Sequence, residues 1–144
     1  MTAAAAFGVK ISWLGKGALF RWPFGGLMRW LSGIPVHRGR SEGVVGQAAE
    51  ALAAVDSLTL VIAPEGTRSR TRFWKSGFYH IATAAAIPIF PVYIDRPTRC
   101  VGAGPAIYPT GDIRRYMDVI RAVYADKRGI RPGNAGLVAL RDEN

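Results

Sequence analysis

The feature that most limits what this chain can fold into is an alternation of short apolar runs with stretches of helical period. I-P-V at Ile34–Val36 precedes S-E-G-V-V-G-Q-A-A-E-A-L-A-A-V, which has Ser41 as a cap and Val44, Val45, Ala48, Leu52 and Val55 at helical spacing. L-T-L-V-I, residues 58–62, reads as a buried strand, and S-G-F-Y-H-I-A-T-A-A-A, residues 76–86, as a helix closed by Ile87-Pro88. I-F-P-V-Y-I, residues 89–94, is the next strand. Strands alternating with helices predict an α/β fold, a layered domain with a mostly parallel or mixed sheet flanked by helices. Upstream, V-K-I-S-W-L is a further strand broken by Gly15-Lys16-Gly17. Downstream, A-I-Y at 106–108 is a short strand, and an amphipathic helix runs from a capping Asp112 to about Tyr124. Residues 125–144 are expected to form a frayed tail. At 144 residues, the chain is long enough for one domain with a real core.

Charge narrows the partners. Lys and Arg number 19 against 10 Asp and Glu, for a formal charge of +9, and most of the cations are arginines. The flat, permanently charged guanidinium suits phosphate oxygens, which leaves nucleic acid, a phosphorylated small molecule and an anionic membrane surface in play. Nucleic acid is disfavoured because the aromatic residues sit in apolar runs and are not interleaved with arginines as stacking platforms. The single cysteine, Cys100, rules out an internal disulfide and is expected to be a small packing residue, and two histidines give no zinc cluster. The longest weakly polar run, Ile81 to Ile94, contains two prolines and falls short of the roughly 20 apolar residues of a spanning helix. No secretion signal is expected from M-T-A-A-A-A-F-G.

One loop concentrates the chemistry. In α/β sheets, ligands gather on the strand-to-helix loops, and P-E-G-T-R-S-R, Pro64 to Arg70, occupies one of them. G-I-P-V-H-R at Gly33–Arg38, P-E-G-T-R-S at Pro64–Ser69 and I-P-I-F-P-V at Ile87–Val92, in this order, resemble motifs two, three and four of the glycerolipid acyltransferases, of which the lysophosphatidic acid acyltransferases are the best known. K-S-G-F, from Lys75, resembles a further element of that family, and the likeness covers residues 13–94 within a partial acyltransferase domain spanning 1–144.

The resemblance implies transfer of an acyl group from acyl-CoA or acyl carrier protein to a hydroxyl of a lysophospholipid such as lysophosphatidate, with no other cofactor and no metal. It implies a phosphate pocket in which Arg38 and Arg68 supply paired hydrogen bonds on two loops meeting at the sheet edge. Gly66 allows close backbone approach, Thr67 adds a hydroxyl donor, and Glu65 orients the arginines or the acceptor glycerol. Ile87, Pro88, Ile89 and Phe90 are candidates for the acyl groove, or else form a core strand with an edge kink. Lys75, one step outside the arginines, could reach a carrier phosphate, but a solvated lysine is the simpler reading.

The family's chemistry also implies a first motif, N-H-x-x-x-x-D, ahead of an element that here reads G-K-G-A-L-F-R-W-P-F-G-G from Gly15. The expectation is therefore a domain truncated before that pair and its strand-helix portion, with M-T-A-A-A-A-F-G resembling the tail of the missing helix. No catalytic residue is assigned within the 144 residues. His37 has Glu42 five positions on but falls inside motif two, and His80 has Ala85 at that spacing. L-F-R-W-P-F-G-G-L-M-R-W-L, with Arg21, Trp22, Arg29 and Trp30, reads either as a helix covering the core or as a face that docks on lipid. A bacterial protein held peripherally on the cytoplasmic face of the inner membrane follows from the resemblance, and a catalytically inactive module binding phospholipid at the membrane surface is the competing reading.

Overall fold

A computed structural model describes residues 11–37, 43–55, 57–67 and 69–143. Arg38, Ser41, Glu42 and Arg68, all singled out above, lie outside the described residues. The fold is α/β, as the alternation predicts. Its contacts gather into two compact units that divide between Ile62 and Ala63.

In the first unit, β1 (Ile11–Lys16) is the central strand of a parallel sheet in the order β2-β1-β3, with β2 at Gly33–Val36 and β3 at Thr59–Val61. The register pairs Trp13 with Gly33 and Lys16 with Val36 on one side, and Ile11 with Thr59 and Trp13 with Val61 on the other. The expected break at Gly15-Lys16-Gly17 therefore starts only at Gly17, because pairing with β2 carries the strand through Lys16. Parallel strands need long crossovers. A 3-10 turn at Gly17–Phe20 and α1 (Gly25–Trp30) form one, and α2 (Gly43–Ala53) lies in the other. Phe20 and Val36 are buried, as are Ala48 and Leu52 from the predicted helical stripe, whereas Val55 lies beyond the helix end and is exposed. Strand β3 is short and at the sheet edge with Val61 half exposed, so the buried strand expected at 58–62 is corrected.

The second unit is built around α4 (Ile113–Tyr124). Asp112 caps it, accepting the Arg115 backbone N–H at 3.1 Å, and its buried face carries Tyr116, Met117 and Ile120. Helix α3 (Gly77–Ala85) packs Phe78, Tyr79, Ile81 and Ala82 inward and ends with Ala86 in the left-handed region, where Ile87 N–H closes back on the Ala82 carbonyl at 3.1 Å. Strands β4 (Val92–Asp95) and β5 (Cys100–Ala103) form a separate antiparallel pair. A-I-Y contributes one isolated bridge, Ile107 to Ile89, which prolongs that ladder. Cys100 is exposed, not packed.

The expected fraying does not extend to residues 139–143, which are anchored. Leu140 is 1% exposed and bridges Trp74. Trp74 N–H donates to the Ala139 carbonyl at 2.8 Å, and Glu143 pairs with Arg121 of α4 at 2.7 Å. A buried leucine and a partly buried ion pair anchor this segment, which its polar, glycine-rich sequence conceals.

Candidate functional site

The motif-three loop in the second unit is a tight turn cross-linked to the residues that start α3. Gly66 N–H donates to the Ala63 carbonyl at 3.1 Å, and Gly66 has φ +64°, a conformation costly for a residue with a side chain. Lys75 ties the far side, its backbone N–H donating to the Pro64 carbonyl at 2.9 Å. Its side chain folds across the turn, so that a Cβ added at Gly66 would stand 2.9 Å from Lys75 Nζ. Gly66 thus serves twice, in its backbone angle and in the room it leaves for an ammonium.

Lys75 is exposed, as a solvated lysine would be, and its ammonium lies over Gly66. Thr67 Oγ1 accepts the Ser69 N–H at 3.2 Å, which uses the oxygen as an acceptor and leaves its hydrogen free to donate. Glu65 is half-buried and forms no ion pair among the described residues. The support behind the loop comes from the chain end, because the residue before Lys75 is Trp74, held by Ala139 and Leu140. Trp74 also meets the rings of Phe78 and Tyr124 edge-on at 6.3 and 5.6 Å.

Motif four takes its shape from the antiparallel ladder. Ile89 exchanges both backbone bonds with Ile107 at 2.9 Å, and the Pro91 carbonyl accepts Gly104 N–H at 2.8 Å. Pro88 and Pro91 cannot donate, and the ladder asks neither to do so. Of the four groove candidates, Ile87, Pro88 and Ile89 are half-buried, and Phe90 is 56% exposed.

In the first unit, motif two ends at His37, and a residue absent from the sequence reading fixes it. Gln47, buried on α2, accepts the His37 backbone N–H through Oε1 at 2.8 Å and donates through Nε2 to the His37 carbonyl at 2.7 Å and the Gly43 carbonyl at 2.8 Å. The backbone immediately before Arg38 is thus clamped at both polar atoms. The available signal was a glutamine three residues after Val44 and next to Ala48, on the apolar stripe of a helix, where a polar side chain needs partners. The His37 ring packs over Gly17, where a Cβ would collide with it, and among the described residues it has no carboxylate partner. His80 is an exposed residue of α3 with its ring against Tyr79. Among the described residues no group of His, Cys, Asp or Glu is arranged to hold a metal ion, and no helix is long and apolar enough to cross a membrane.

The chain matches the family model described as Acyltransferase over residues 1–95. It is 36% identical over 132 residues to the 1-acyl-sn-glycerol-3-phosphate acyltransferase of Escherichia coli K12, a match that covers 81% of this chain and 54% of that protein. The Haemophilus influenzae protein of the same name is 34% identical over 86 residues, covering 55% of this chain and 35% of its own. For the Salmonella typhimurium protein of that name the figures are 34% over 98 residues, 61% and 38%. The chain therefore spans about half the length of these relatives or less. No solved structure matches it significantly.

Proposed function

The chain belongs to the acyltransferase family, and on that premise we propose that it holds the phosphate and acceptor region of a phospholipid-synthesising enzyme. That enzyme transfers a fatty acyl group from acyl-CoA or acyl carrier protein to the free hydroxyl of lysophosphatidate. In the reaction the hydroxyl oxygen attacks the thioester carbonyl, the carbon–sulfur bond breaks, and the hydroxyl proton leaves with the thiolate. The observation that supports the reading best is the turn at Gly66 with Lys75 Nζ folded over it, a cation on the motif loop next to Thr67, whose hydroxyl hydrogen is free to donate. Arg68, and Arg38 from motif two, are the proposed guanidinium ligands of the acceptor phosphate. Glu65 orients them or the glycerol, and Ile87–Phe90 contribute to the acyl groove.

No base is assigned within these 144 residues, where neither histidine begins an H-x-x-x-x-D. The chain by itself is accordingly expected to give no turnover, since loss of a general base costs about 10² to 10⁴ in rate. Turnover by the chain that His37→Ala abolishes would assign the base to His37. The phosphate reading is tested separately, by titrating short-chain lysophosphatidate and the matching monoacylglycerol into the protein. Binding that needs the phosphate is expected, and equal affinity for the two ligands would contradict the assignment.

One observation favours a second role, docking on an anionic membrane surface. Trp22 is 93% exposed and Trp30 79%, with Phe24 and Leu27 also exposed and Arg21 and Arg29 beside them. Aromatic rings at an interface with arginines on headgroups would hold the protein peripherally, each arginine adding about 1 kcal/mol. Sedimentation should show preference for anionic over neutral vesicles, weakening with salt. Equal binding to both would remove the electrostatic part.

A further inference from the structure

Away from the family's motifs, in the unit that begins at Ala63, Arg96, Arg99 and Arg128 line an open cavity of about 470 Å³ together with Pro97, Gly129 and Pro132. Its walls come from two distant stretches, the turn between β4 and β5 and the segment following α4. A buried carboxylate binds these walls together. Asp95 is 5% exposed, and its Oδ2 accepts the Thr98 hydroxyl at 2.6 Å while Oδ1 accepts the Arg128 backbone N–H at 2.9 Å. Arg96 N–H in turn donates to the Arg128 carbonyl at 2.8 Å. Arg99 N–H closes the turn on the Arg96 carbonyl at 3.2 Å with φ +55°, a conformation that side-chain-bearing residues adopt only when the surrounding structure imposes it.

The three guanidiniums take part in no ion pair among the described residues. Among the described residues no acidic side chain lines the cavity. Both Asp95 oxygens are engaged by the walls, and the nearby Asp126 is paired with Lys127 at 2.9 Å. All three arginines are exposed, so their guanidiniums are available to an anion that enters the concavity. The lining is three arginines, two prolines and a glycine, with no large apolar side chain, so it suits a phosphate and not an acyl chain.

The geometry points to a preorganised binding site for a phosphate or pyrophosphate group, formed by Arg96, Arg99 and Arg128 on backbone fixed by Asp95, and separate in sequence from Glu65–Arg68. This site goes beyond the acyltransferase reading and stands without it.

The test is calorimetric titration of the full chain with sodium pyrophosphate at near-physiological salt, where distant charges are screened. Arg96→Gln with Arg128→Gln is compared with a control of equal charge, Arg114→Gln with Arg115→Gln on the exposed side of α4. Affinity should fall about tenfold or more per lost cradle arginine, and about twofold or less in the control. Thermal unfolding checks that each variant folds, and Arg128→Lys, which keeps the charge but not the fork, should bind between wild type and Arg128→Gln. A second arm sediments the same proteins with phosphatidylcholine vesicles with and without phosphatidate. Cradle-dependent binding of pyrophosphate alone assigns the phosphate to a soluble ester, and cradle-dependent binding of phosphatidate vesicles assigns it to a lipid headgroup. Indistinguishable wild type and double variant in both arms would overturn the proposal.

Discussion

Helices α1 and α4 are both amphipathic, and they dispose of their apolar faces in opposite ways. Helix α4 has an acidic N-cap, buries Tyr116, Met117 and Ile120, and sets Tyr124 edge-on against Trp74. Arg121 near its end joins Asp118 and Glu143, each at 2.7 Å. Helix α1 is six residues long, has no side-chain cap, and leaves Leu27 and Trp30 in water, with Trp22 and Phe24 just ahead of it. Helix α4 puts its apolar surface into the stability of the second unit. Helix α1 and the turn before it keep Trp22, Phe24, Leu27 and Trp30 in water, available to a partner.

Substitutions should separate the two roles. The largest effect is expected at Met117, which is fully buried: Met117→Ala should lower unfolding free energy by about 2–5 kcal/mol in denaturant titration. Asp112→Ala, which removes the α4 cap, should cost about 0.5–2 kcal/mol. On α1, Trp30→Ala should shift unfolding by about 0.5 kcal/mol or less while reducing sedimentation with anionic vesicles. A loss at Trp30 comparable to that at Met117 would break the comparison.

The smallest effect sharpens it. The Tyr79 and Tyr116 hydroxyls are buried without a hydrogen-bond partner among the described residues, their rings 5.1 Å apart. Tyr116→Phe removes an unsatisfied group and should be near neutral or stabilising at pH 7. Burial, and then Tyr79 beside it, push the Tyr116 phenol above its ordinary range. The folded protein therefore keeps this proton to a higher pH than the unfolded chain does. Its contribution is intact below about pH 10 and declines as pH rises beyond that value. Unfolding curves above that pH should fall less steeply for Tyr116→Phe than for wild type, and identical slopes would remove Tyr116 from the account.

The same contrast explains which parts of the molecule the sequence disclosed. Helix α4 with its Asp112 cap, helix α3 and strand β2 were legible because their signals are local: period, cap and a following Ile-Pro. Strand β5, C-V-G-A, was not, since its only qualification is a partner eight residues upstream, and pairing of this kind is set by context. Trp74 and Leu140 lie far apart in sequence, which is why the anchored chain end read as frayed. For the candidate site, E-G-T-R was legible as a motif, whereas Lys75 over Gly66, the Gln47 clamp on His37 and the Asp95 cradle are products of tertiary structure.

The central claim is that E-G-T-R-S belongs to a phosphate pocket, and calorimetric titration of a soluble short-chain lysophosphatidate into wild type, Arg68→Ala and Arg68→Lys tests it most directly. Arg68→Ala should weaken binding by about 1.5–3 kcal/mol, the range for hydrogen bonds to charged groups. Arg68→Lys should fall between the other two, because it restores the charge without the two-pronged geometry. If Arg68→Ala binds the headgroup as tightly as wild type, the loop is structural and the claim is wrong.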